Sequence, residues 1–218
     1  MTLASLFVDA FRFIPHHVGL LLNKAGELSE LAFAALGIAL VIALPLGLWL
    51  GHRHRGLFFA LGVSSLGRAQ PSIAIIGLLI AWLGVGFWNN TVALVVLALP
   101  PILTNAYFAV DGVDPDAVEA ARGMGLTEPQ ILARVELPLG LPLLLAGVRI
   151  AAVFVIATAT IAGIAGGGGL GEIMANPVAY GQAGVLAAAL CVSAIALLAA
   201  FALGVAQHAA SRRMRPSA

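Results

Sequence analysis

The sequence predicts an all-α integral membrane protein: a five-helix transmembrane core, a polar loop between the third and fourth spans, and an additional N-terminal amphipathic helix. Three observations carry this. The 218-residue chain is 61% hydrophobic and 10% charged, with a mean hydropathy of +1.04, whereas soluble domains sit near half apolar with about a quarter of residues charged. Its apolar residues fall into runs long enough for membrane helices, which need about 20 residues to cross roughly 30 Å of hydrocarbon. Its charge gathers in one internal stretch, 111–142, which holds Asp111, Asp114, Asp116, Glu119, Arg122, Glu128, Arg134 and Glu136.

The N-terminus does not read as a cleavable leader, because Asp9 and Arg12 interrupt its apolar region and no small-residue cleavage site follows. It reads as an amphipathic helix with Phe7, Phe11 and Ile14 on one side, interrupted at Pro15. Spans are expected at about 31–50, 57–83, 91–110, 143–165 and 184–206, leaving no water-soluble domain, so residues 1–218 form one transmembrane unit. Trp82, Phe87 and Trp88 sit at a span edge, where aromatic rings anchor at the membrane–water interface. The second span is unusual: Arg68, Gln70 and Pro71 interrupt it, one turn after Ser64 and Ser65. A charge at the bilayer centre costs about 2.5–3.5 kcal/mol on insertion scales, so Arg68 is not expected to face lipid. It either faces a translocation path or subunit interface, or serves as a structural arginine bonded to nearby carbonyls.

Basic residues in short loops set orientation. With the N-terminus outside and the C-terminus inside, the inner segments hold Arg53, Arg55, Arg122, Arg134, Arg212, Arg213 and Arg215, and the outer ones only Arg12 and Lys24. The 111–142 loop is then cytoplasmic.

Several function classes fall away. A net charge of +1 suggests no nucleic-acid partner, and the single Cys191 supports no disulfide framework. The run 166–171, GGGGLG, matches a dinucleotide-binding pattern but follows a membrane helix instead of a strand, so it reads as flexible backbone. Asn89-Asn90-Thr91 matches a glycosylation pattern common by chance. His52 and His54 are two apart and do not share a helix face, so no metal site is expected there. No nucleophile–base constellation lies in the spans, so no catalytic residue and no cofactor is assigned. No Asp or Glu falls inside the five spans either, whereas ion-coupled carriers rely on intramembrane acids. The energy source lies elsewhere, yet the chain has no G-x-x-x-x-G-K-[ST] phosphate loop and is not itself an ATPase.

The 111–142 loop is built to fold. Asp114-Pro115 is a helix start, with Asp116 and Glu119 favouring the positive helix end. A break follows at Gly123-Met124-Gly125, and Thr127 with Gln130 forms a capping box opening a second helix that ends at Leu137-Pro138. Some 30 residues with two good caps exceed an ordinary connector. Small alanines on the first helix permit close approach of another backbone.

Here the sequence resembles a family. Glu119-Ala120-Ala121, then Gly125, then Val135-Glu136-Leu137-Pro138, resembles the EAA loop of bacterial ABC importer permeases, with Val135 where the family prefers isoleucine. The resemblance extends over 31–206. It implies that Glu119, Ala120, Ala121, Gly125, Val135, Leu137 and Pro138 couple the permease to cytoplasmic ATP-binding subunits. It also implies a second permease subunit (identical or a paralogue), an extracytoplasmic substrate-binding protein, and a bacterial inner-membrane location. Within the family, 17–47, Pro71-Ser72-Ile73-Ala74 and 157–162 with the glycine run resemble permeases for osmoprotectants such as glycine betaine, choline and carnitine. Methionine-type permeases share a similar glycine-rich segment, so methionine or another amino acid is the alternative substrate, and a stand-alone ion-coupled carrier is a remoter one. Arg68, Gln70, Ser72, Thr158 and Thr160 are the candidate path residues, although the two threonine hydroxyls can equally bond helix carbonyls.

An arginine facing the path disfavours a pure cation but accepts a zwitterion through its carboxylate. Arg68→Ala should therefore shift the ratio of betaine to choline uptake toward choline; an unchanged ratio in transport assays contradicts a path-facing Arg68.

Overall fold

The computed structural model describes residues 3–54, 62 and 72–213. Among them every regular element is a helix: α1 (Leu3–His16), α2 (Val18–His52), α3 (Ser72–Leu83), α4 (Phe87–Asp111), α5 (Pro115–Gly123), α6 (Glu128–Ile131), α7 (Leu137–Ala162), α8 (Leu170–Ala175) and α9 (Pro177–Arg213). Wide π-helical turns, Leu132–Glu136 and Gly163–Gly167, join α6 to α7 and follow α7. Four stretches are long and apolar enough to cross a membrane: Val18–His52, Phe87–Asp111, Glu128–Ala162 and Pro177–Arg212. The expected second span is represented by α3; its residues 57–61 and 63–71, with Arg68 and Gln70, lie outside the described residues.

Three expectations are corrected. Pro15 does not break the first helix, which runs on to His16; α2 follows from Val18. Proline there stands in the last turn, and the chain turns once at His17, whose N–H donates to the Phe13 carbonyl at 3.1 Å. The second loop helix does not end at Leu137-Pro138 but continues through the π-helical turn into α7. A proline inside a helix clashes with the carbonyl four residues back. The widened turn just before Pro138, in which the Leu137 N–H donates to the Leu132 carbonyl, relieves that clash. The glycine run, expected to be flexible, is pinned, as described below.

The chain forms two compact units. One comprises Met1–Gly37, Gln70–Leu97 and Ala152–Ala199. In it Phe13 of α1 packs where a side chain at Gly184 would stand, and stacks on His17 with ring centroids 3.9 Å apart. Phe7 and Phe11 point outward, at 44% and 63% exposure, as suits a helix whose apolar face meets lipid. Trp82 and Trp88 are also exposed. Gly168 and Gly169 hold positive φ of 76° and 73°, which glycine adopts without penalty. The Gly169 N–H donates to Glu27 Oε2 at 2.7 Å, and Lys24 Nζ bridges Glu27 and Glu172 at 2.9 and 2.7 Å. A side chain at Gly171 would collide with the Thr160 carbonyl. The glycines are therefore required for backbone contact, and the run is held by a charge network. Asn89 of the chance glycosylation pattern is buried.

The other unit comprises Ile38–Ala69, Ala98–Ala151 and Ala200–Ala218. The C-terminal half of α4 lies between α2 and α7. On one side, Cβ atoms at Gly47 and Gly51 of α2 would overlap the Leu103 and Tyr107 carbonyls, a small-xxx-small face that lets membrane helices approach closely. On the other, Gly140 and Gly147 of α7 leave room for Ala109 and Asn105. Pro100 and Pro101 cost α4 two backbone donors, and Asn105 Nδ2 donates to the Pro101 carbonyl at 2.8 Å. Ala109, Leu144 and Val148 form the apolar centre, with Leu40, Leu44, Leu48, Leu137 and Leu203 packed on it. The helices that carry the polar loop are thus locked together at its roots.

Gly140→Ala should lower stability by about 1–3 kcal/mol, because an inserted methyl meets the Ala109 backbone and cannot be accommodated by a rotamer change. Gly37→Ala, with open space around it, should leave the thermal midpoint of the detergent-solubilised protein unchanged; equal midpoints for both variants would contradict the packing described.

Candidate functional site

The 111–142 stretch is a folded body with its own small core. Asp114 caps α5, accepting from the Asp116 N–H at 3.0 Å, with Pro115 in the first turn. The helix stops at Gly123, and Gly125, at φ +85°, reverses the chain so that the Leu126 N–H donates to the Ala121 carbonyl at 3.2 Å. The capping box opens α6, the Thr127 N–H donating to Gln130 Oε1 at 2.9 Å. Between the two helices Val118, Ala121 and Ile131 are buried, covered by Val113, Leu126 and Val135.

This core divides the expected coupling residues. Ala121 and Val135 face inward and hold α5 against the following turns; Glu119, Ala120, Gly125 and Pro138 are exposed, and Leu137 is half-buried against the unit's apolar centre. Glu119, Ala120 and Gly125 thus form the outward face of the loop, and Met124, 74% exposed, joins them. Of the candidate path residues, Ser72 opens α3, half-buried, and Thr158 and Thr160 are buried in α7. Thr160 Oγ1 donates to the Ile156 carbonyl at 3.2 Å, the hydroxyl-to-carbonyl alternative.

Charge ties the loop to the end of α2. Glu136 is 1% exposed, and its Oε2 lies 2.6 Å from His52 Nδ1. His52 Nε2 lies 3.3 Å from Glu128 Oε2. The two ring nitrogens thus face two carboxylates at once. Arg122 donates to Glu128 through Nε at 3.1 Å and Nη2 at 3.3 Å. That guanidinium holds the Glu128 carboxyl below its usual value, with His52 and Arg53 adding smaller attractions. His54 Nδ1 stands 2.8 Å from Asp111 Oδ1. The chain Arg122–Glu128–His52–Glu136 therefore links α5, α6, α2 and the π-helical turn.

Nothing local marks His52 beyond its proximity to a span end, since its partners are 76 and 84 positions away. Its pairing with Glu136 depends on α2 and α4 packing close enough through Gly47 and Gly51 to bring the two chain regions together. Opposite charges at the ends of separate spans are the hint available before folding.

Long apolar helices and one compact, charge-tethered polar loop define a multi-pass helical membrane protein. The chain belongs to the family of binding-protein-dependent transport system inner membrane components, whose pattern it matches over residues 43–216. It is 39% identical over 190 residues to the carnitine transport permease protein OpuCB of Listeria monocytogenes, covering 87% of this chain and 84% of that one. It is 32% identical over 197 residues to the glycine betaine/carnitine/choline transport system permease protein OpuCB of Bacillus subtilis (strain 168), covering 90% and 91%. Its fold matches a solved structure of the MetNI methionine ABC transporter, inward facing, with a TM-score of 0.74 and 25% identity over 88% of this chain and 97% of that one.

Removing the imidazole strands a buried carboxylate. His52→Ala should destabilise the protein by about 1–3 kcal/mol, read as a lower thermal midpoint, whereas the paired His52→Leu/Glu136→Met substitution should recover most of the loss. A His52→Ala midpoint equal to wild type would show that the tie carries no weight.

Proposed function

We propose that the chain is the permease subunit of an ATP-driven importer for quaternary-ammonium osmoprotectants such as glycine betaine, working as one of two permease subunits with separate cytoplasmic ATP-binding subunits and an extracytoplasmic binding protein. The observation that carries the substrate class is the similarity to osmoprotectant and carnitine permeases over most of both chains. The 111–142 body is the contact for the ATP-binding subunits. Its exposed face of Glu119, Ala120 and Gly125 is the part free to dock, and its internal core and charge tether make it rigid enough to transmit a push to α4 and α7. The N-terminus lies outside and the C-terminus inside, consistent with the basic residues at the ends of α2 and α9 and in the loop. Arg68, Gln70, Ser72, Thr158 and Thr160 remain the proposed path residues. ATP-driven closure of the partner subunits then moves the permeases between inward- and outward-open states. A methionine or other amino-acid substrate is the second reading, favoured by the likeness to MetNI, but at lower identity than to the osmoprotectant permeases.

Two loop substitutions test the coupling. Glu119→Arg reverses charge on the exposed face, and Gly125→Trp places a side chain where positive φ costs a non-glycine residue about 1–2 kcal/mol. Both should abolish co-purification of the ATP-binding subunit and glycine betaine uptake while leaving the permease in the membrane; variants that still assemble and hydrolyse ATP on substrate addition would contradict the assignment.

A further inference from the structure

Outside the loop, the second unit carries a basic groove that coupling does not use. It is lined by Arg149 of α7 and by Ala200, Phe201, Gly204, Val205, His208 and Arg212 of α9, and has a volume of about 510 Å³. Arg149 stands inside an apolar span, six positions beyond residue 143, about 9 Å at the helical rise. Its guanidinium passes over Gly204, where a Cβ would sit 3.2 Å from Nη1; any larger residue would crowd it. No carboxylate lines the groove, and among the described residues none pairs with Arg149, His208 or Arg212. Arg149 sits in an expected span without the proline and serines that mark Arg68 in the sequence.

A charged side chain within a membrane helix must reach a partner or the surface, and long basic side chains do so by extending to the headgroup layer. Arg149, His208 and Arg212 line one groove near the C-terminal end of α9. Directly beside them the same helix turns Phe201 and Val205 outward, at 72% and 53% exposure, and only 11% of the apolar window of α9 is buried within the chain. We propose that this groove binds an anionic phospholipid: Arg149 and Arg212 hold the phosphate, and the Phe201–Val205 face lies along the acyl chains. Basic pockets between membrane helices take such headgroups, and arginine suits phosphate through its paired donors. A second copy of the chain fits the groove less well, because a two-fold contact brings the same basic patch against itself with no acid in the groove to offset it. Free phosphate matches the cations but not the apolar face. The inference rests on the chain spanning the membrane and is independent of the coupling role of the loop.

The test uses the full chain extracted from membranes and reconstituted with phosphatidylcholine alone or with added phosphatidylglycerol, with co-purifying lipid identified by native mass spectrometry. Wild type should retain phosphatidylglycerol in preference to phosphatidylcholine. Arg149→Gln/Arg212→Gln should lose that preference several-fold, Arg149→Lys/Arg212→Lys should keep more of it than the Gln pair, and excess inorganic phosphate should not displace the lipid. Equal retention by wild type and the Gln pair, or displacement by inorganic phosphate alone, overturns the proposal. So does disulfide formation between two permeases carrying Phe201→Cys in a Cys191→Ala background, which would make the face an interface between copies.

Discussion

A carboxylate buried at the foot of an apolar helix must find a hydrogen-bond partner, and the contact between Glu136 and His52 is the constraint on which the loop end of this protein is arranged. Glu136 lies in the π-helical turn that carries the chain from the loop into α7, and His52 is the last residue of α2. For the two to meet, α2 must lie close against α4, and α7 must lie close against α4 on its other side. Gly47 and Gly51 provide the first approach, Gly140 and Gly147 the second. The burial of one acid thus depends on four glycines, two of them more than eighty positions earlier in the chain, and the acid in turn fixes how the loop enters α7.

The loop answers a second physical requirement. In the proposed coupling role, a polar segment between two membrane helices transmits force only if it resists bending. Here Val118, Ala121 and Ile131 give it a core, Asp114 and Thr127 cap its helices, and Arg122 closes the gap between them through Glu128. An exposed ion pair such as Arg122–Glu128 is worth little alone, but it shares Glu128 with His52 and so extends the tether to the buried Glu136. The apolar packing holds the loop's shape; the charges hold its position.

Much of this was legible in the sequence because it is local. Helix starts at Asp114-Pro115 and Thr127-Gln130 need only neighbouring residues, and apolar runs of sufficient length declare α2, α4, α7 and α9 by composition. What was not legible depends on distant partners. The inward direction of Ala121 follows from packing on Ile131, and the fate of Pro138 from a widened turn that no propensity scale marks. The glycine run at 166–171 looked flexible because its restraints, Glu27 and Lys24, sit more than a hundred residues earlier. Arg149 shares a groove with α9 residues more than fifty positions later, which no local pattern marks, and Arg68 stands outside the described residues.

The central claim is that the exposed face of the loop meets an ATP-binding subunit on the cytoplasmic side. The most direct measurement is cross-linking from Ala120→Cys, in a Cys191→Ala background, within the complete importer in sealed vesicles of known orientation. The account predicts an adduct with the ATP-binding subunit, formed only by reagent reaching the cytoplasmic face and changing in yield when ATP is added. An adduct with the extracytoplasmic binding protein, or labelling of residue 120 only from the outer face, would contradict it.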